Sequence, residues 1–67
     1  MDKKELRSHM AKYGDTNKTL AEALGKSQQA VSGKLNSKRS FNLNEIQVIK
    51  LRYNLSMDDV QRIFFAS

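Results

Sequence analysis

The sequence has no cysteine and only one histidine, His9, in 67 residues. Neither a disulfide nor a zinc site of clustered Cys and His ligands is therefore available to staple the fold. A core of this size supplies only about 3–5 kcal/mol, so apolar packing has to hold the domain together, with or without oligomerisation. The lack of cysteine also suits the cytosol. No apolar run is long enough for a signal peptide or a membrane span, and the opening MDKKELRSHMAKYG is charged and amphipathic. The expectation is a protein that stays in the cytoplasm where it is made. Strict apolar–polar alternation and two-residue hairpin signals are missing too, which argues against strands. With no linker, repeat or low-complexity stretch, residues 1–67 read as one domain.

Catalytic parts are equally scarce. Ser8 adjoins His9 but points elsewhere on a helix, and no orienting group accompanies them. Asp58 and Asp59 stand where a helix begins, a place that favours negative charge, and further metal ligands are lacking. Gly14, Gly25 and Gly33 form no phosphate-binding loop. The chain is expected to be no enzyme, and to use no metal, cofactor or small-molecule ligand.

Helix signals, by contrast, are dense. Asp2 with Glu5 is a capping-box pattern opening a first helix, with Leu6, Met10 and Tyr13 at helical spacing and Gly14 placed to end it. Thr16 can cap a second helix and Ser27 a third. Asn42 with Glu45 opens a fourth carrying Leu43, Ile46, Ile49 and Tyr53. Ser56 with Asp59 opens a short fifth bearing Met57, Val60, Ile63 and Phe64. The pattern predicts an all-α fold, a compact bundle of five short helices joined by connections of about two to five residues.

Within it, NKTLAEALGKSQQAVSGKLN, residues 17–36, reads as two short helices joined by a sharp turn at Gly25. Leu20, Ala21 and Leu24 make one apolar stripe, Val31 and Leu35 another, and Ala21 is small where the helices would cross. That is a helix-turn-helix pattern, which projects its second helix outward. In a basic chain the target it fits is the DNA major groove. The net charge of +5 is unevenly spread. Lys26, Lys34, Lys38, Arg39, Lys50 and Arg52 face Glu45 alone between positions 26 and 52, while acids and bases balance elsewhere. Such a local excess is either a footprint for a polyanion or a basic surface that aids solubility.

At about 100° per residue, Gln29, Ser32, Gly33 and Asn36 fall in one polar arc with Gln28 at its edge. Ala30, Val31, Lys34 and Leu35 lie opposite. The arc holds amides, a hydroxyl and a glycine, with no acid and no long apolar group. Gln and Asn can donate and accept together to adenine in the major groove. An ordinary solvated face is richer in Glu and Lys, and a glycine in a helix interior costs about 1 kcal/mol relative to alanine. Its presence on the outward side points to close approach by another molecule.

These residues resemble the helix-turn-helix of the lambda-type repressor and Cro family of small phage and bacterial regulators. Leu20, Ala21, Leu24, Gly25 and Val31 stand at that family's spacings. The likeness extends through SFNLNEIQVIKLRYNLS, which is similar to the helix after the family's reading helix. The resemblance implies a lambda repressor-like bundle of four or five helices binding operator DNA, commonly as a dimer. Base-reading positions would fall on Gln28, Gln29, Ser32 and Gly33, and phosphate-contacting positions on Asn17 and on Asn36 with the following loop. Lys34 departs from the pattern, standing where the family usually has an apolar residue; Leu35 beside it is expected to take over the packing.

Lys38 and Arg39, in the loop SKRS, are candidates for phosphate contact or for an ordinary exposed loop. Asn17 and Thr19 lie in the first turn of a helix, whose free amides favour an anion, or they are simple cap residues. Val48, Leu51, Phe64 and Phe65 exceed what one helix stripe can bury. They are candidates for a dimer surface, or for core if the helices are covered on two sides. The expected function is a sequence-specific double-stranded DNA-binding transcriptional regulator, a phage or prophage Cro-like repressor acting by operator occupancy. It would be a homodimer on DNA and largely monomeric when free. A DNA-binding antitoxin or accessory factor, and a helical module with an acidic protein partner, are the alternatives.

Overall fold

Five helices account for the regular structure of residues 1–65, the part of the chain that the computed structural model describes. They are α1 Lys3–Lys12, α2 Asn17–Leu24, α3 Gln28–Leu35, α4 Leu43–Arg52 and α5 Met57–Val60. The last runs into one π-helical turn, Gln61–Phe65. No strand occurs among the described residues. The fold is all-α, with a Cα radius of gyration of 10.7 Å, close to the roughly 11 Å expected of one compact body this long. No helix among these residues is long and apolar enough to cross a membrane.

Each helix starts at a side chain that takes up one of its unpaired first-turn amides. Thr16 and Thr19, Asn42 and Glu45, and Ser56 and Asp59 form reciprocal capping boxes. Ser27 caps α3 through the Ala30 amide at 3.1 Å. The box expected at α1 is only half made. Asp2 Oδ1 accepts from the Glu5 amide, but the Asp2 amide donates instead to the Ile63 carbonyl at 2.7 Å. The Glu5 carboxylate is taken by Arg62, at 2.8 Å from Nε and 2.5 Å from one terminal nitrogen. Both bonds join α1 to the C-terminal turn.

Four helices end in the same way: the chain turns left-handed for one residue, and the next amide closes back five residues. Gly14 and Gly25 supply the positive φ after α1 and α2, followed by Asp15 N–H to Met10 O at 2.8 Å and Lys26 N–H to Ala21 O at 3.0 Å. After α3 and α4 the residues are Ser37, φ 63°, and Asn54, φ 52°. Asparagine tolerates this region, whereas serine carries a steric penalty there.

The core draws on every helix. It comprises Leu6 and Met10, Leu20 and Ala21, Val31 and Leu35, Phe41, Ile46, Ile49, Tyr53, Leu55, Val60 and Ile63. Ala21 and Leu35 are buried as expected. Three apolar residues assigned to inward stripes are not: Leu43 is 75% exposed, and Met57 and Tyr13 are also exposed. Leu43 and Met57 are each the first residue of their helix, and Tyr13 is where α1 stops.

Two ion pairs support this packing. Asp15, between α1 and α2, accepts from Arg52 Nε at 2.6 Å, its terminal nitrogen at 2.7 Å, Tyr53 Oη at 2.7 Å and Thr19 Oγ1 at 2.8 Å. Between α3 and α4 Lys34 Nζ donates to both oxygens of Glu45, at 2.7 and 2.6 Å. Among the described residues Glu45 is the one charged residue that is buried, at 3% exposed.

Candidate functional site

The α2–turn–α3 unit and the loop after it build one exposed surface. Val31 and Leu35 anchor α3 in the core, which turns Gln28 and Gln29 fully outward and leaves Ser32 and Gly33 half-exposed. These four residues border an open concave strip together with Asn36, Lys38 and Arg39. Sequence positions chosen for base reading and three of those chosen for backbone contact thus share a single surface. A methyl group built at Gly33 meets nothing within 4 Å. The glycine is not demanded by packing of the chain against itself.

Asn17 and Ser32, assigned to different tasks, are bonded to each other. Asn17 Nδ2, at the start of α2, donates to Ser32 Oγ of α3 at 3.0 Å. The hydroxyl therefore accepts from Asn17 and keeps its own proton to offer elsewhere. Thr19 is occupied internally: its hydroxyl accepts from the Thr16 amide at 2.8 Å and donates to Asp15. Its hydroxyl belongs to the capping box and the Asp15 cluster.

The charge picture changes as well. Lys34 and Arg52, two of the six basic residues counted between positions 26 and 52, are held in ion pairs with Glu45 and Asp15. Lys26, Lys38 and Arg39 are exposed and make no ion pair among the described residues. Burial pushes the Glu45 carboxyl up, but the Lys34 hydrogen bonds, the Asn42 amide and the charges of Lys34 and Lys26 outweigh it. Glu45 ends below the ordinary glutamate value and is ionised at neutral pH.

One residue of this surface escaped the sequence reading. Arg7 of α1 donates to Asn36 Oδ1 at 3.2 Å, from 29 positions away. It brings a positive charge to the end of α3 where Lys34 supplies none. A local signal existed: Arg7 has Lys3, Lys4, Met10 and Ala11 as its helical neighbours, so no acid on α1 is placed to neutralise it.

The four apolar candidates for a partner surface differ in their surroundings. Phe64 is half-buried against the core, its ring edge-on to Phe41 at 5.9 Å, and also borders a cleft with Phe65. Phe65 is 51% exposed and borders a cleft with Phe41 and Ile46. Val48 and Leu51 lie exposed on α4, on the side away from Ile46 and Ile49. No protein-family profile, curated protein or solved structure matches this chain.

Proposed function

We propose that the chain is a sequence-specific double-stranded DNA-binding transcriptional regulator whose α2 and α3 act as a helix-turn-helix. In this reading it is a phage or prophage Cro-like repressor of the bacterial cytoplasm. The observation that carries the proposal is the α3 strip: Gln28, Gln29, Ser32 and Gly33 share one surface with Lys38 and Arg39. Amides and a hydroxyl read base edges, and exposed cations at one end hold phosphates without reading sequence. Gly33 lets the groove wall approach the α3 backbone. Repression follows from occupancy, because a protein seated on an operator excludes polymerase or a competing regulator.

Footprinting on DNA flanking the gene tests this directly. Protection of discrete, near-palindromic segments is expected. Retention of all duplexes alike, or of none, overturns the proposal. Exposed Leu43, Leu51 and Met57 favour a second reading, a DNA-binding antitoxin or accessory factor whose apolar side meets a different protein. Co-purification with a toxin-like partner in place of a homodimer distinguishes it.

A further inference from the structure

We infer that Lys34 and Glu45 are a positioning pair: their ion pair holds the loop of residues 36–42 so that Lys38 and Arg39 stand at the end of the α3 strip. The inference rests on the DNA-binding reading above and adds residues that themselves touch no DNA.

Lys34 reaches inward from the last turn of α3, its side chain 13% exposed. Its ammonium meets both carboxylate oxygens of Glu45 and lies 5.9 Å from the Phe41 ring centroid. Glu45 in turn accepts from the Asn42 amide at 2.8 Å and donates its own amide to Asn42 Oδ1 at 2.8 Å. The exit of the loop is thereby tied to Lys34. Its entry is tied to the same turn of helix, through Ser37 N–H to Lys34 O at 3.1 Å and Lys38 N–H to Gly33 O at 2.9 Å. Lys38 and Arg39 sit between two anchored ends. Separating a buried pair strands a charge in the interior, so this clamp resists opening more than a surface pair does.

Charge alone and positioning predict opposite signs. Glu45→Gln removes an acid and releases Lys34, which on net charge tightens binding to DNA. Positioning predicts weaker binding. The double variant Lys34→Met/Glu45→Gln keeps the net charge and the Asn42 acceptor, so it isolates the clamp from bulk electrostatics. The full chain and its variants are titrated with a random-sequence duplex at several salt concentrations. Amide exchange at Ser37 and Lys38 is measured against core amides such as Ile49. The double variant is expected to exchange faster at Ser37 and Lys38, to bind about tenfold more weakly, and to lose about two units of salt slope, one for each phosphate held by Lys38 and Arg39. Lys34→Arg, which can keep the pair, is expected to leave both readouts at the parent's values. Unchanged loop exchange overturns the clamp, and faster exchange with unchanged slope overturns its link to binding. Were the parent chain to bind no duplex, the proposed function would fall, while the exchange comparison would still decide whether the pair holds the loop.

Discussion

Asp15 and Arg52, 37 positions apart, form a two-pronged ion pair that joins the α1–α2 turn to the end of α4. Tyr53 Oη and Thr19 Oγ1 complete the shell of the Asp15 carboxylate. Arginine hydrogen bonds are the largest influence on this carboxyl and hold it well below its ordinary 3.8. The same carboxylate raises the Tyr53 phenol, which burial already pushes upward.

Replacing Asp15 with Asn should therefore cost about 2–3 kcal/mol, less than a fully buried pair because Arg52 is partly solvated. The pH dependence follows from the direction of the shift. A carboxyl depressed on folding contributes fully above its unfolded value near 4, and that contribution is lost as pH falls toward its folded value. Denaturant melts at pH 7, 4 and 2.5 should show the parent losing stability on acidification, and Asp15→Asn losing less. Parallel profiles would remove Asp15 from the acid response.

Ser37 offers a gain in place of a loss. Its φ of 63° carries a penalty of about 1 kcal/mol that glycine avoids. The greater freedom of glycine in the unfolded chain offsets part of this. Ser37→Gly should raise the melting temperature by a few degrees, at about 4–8 °C per kcal/mol for a domain this small. A lower melting temperature would mean that the serine side chain has a stabilising role that outweighs the strain.

Local signals were legible in the sequence, and distant ones were not. Thr16, Ser27, Asn42 and Ser56 announced their helices because a cap and its target amide lie three residues apart. The outward arc of α3 was legible because helical periodicity fixes which residues share a side. A charge count includes Lys34 and Arg52 among the available cations because it does not say which acid folds against which base. Their partners lie 11 and 37 positions away. The lack of a neutralising acid beside Arg7 is legible on α1, but its contact with Asn36, 29 positions away, is not. Ser37 and Asn54 were missed because a left-handed helix end is usually announced by glycine.

Gly33 gives a test in which stability and binding move in opposite directions. A β-carbon there meets nothing within 4 Å of the free chain. Gly33→Ala should stabilise the fold by about 1 kcal/mol through helix propensity. If α3 lies in a groove, the same methyl should weaken binding to operator DNA. Gained stability with unaltered operator affinity would show that nothing approaches Gly33 closely.

Gln29 and the loop cations should separate reading from holding. Gln29→Ala should weaken operator binding far more than random-duplex binding, since a bidentate base contact is worth about 1–3 kcal/mol of discrimination. Changing Lys38 and Arg39 to alanine should weaken both alike and lower the salt slope by about one unit for each phosphate no longer held. These titrations assign the two halves of the strip. An equal loss on both duplexes for Gln29→Ala would exclude base reading there.

Assembly is the remaining expectation. One reading helix spans only a few base pairs, too few to select an operator among roughly 10⁶ or more genomic sites. Two copies about a two-fold axis would place their α3 helices about 34 Å apart on one side of the duplex. Phe65 and Leu51 are the exposed apolar residues to test, because Phe64 is engaged with Phe41. Phe65→Ala and Leu51→Ala should leave the melting temperature within a few degrees, since neither residue is buried in the single chain. At least one of them should abolish cooperative occupancy of two half-sites while sparing the weak binding of one. A half-site bound as tightly as the full operator would refute the dimer outright. Cooperative binding unaffected by either change would move the interface elsewhere, with Val48 on the exposed side of α4 the next residue to replace.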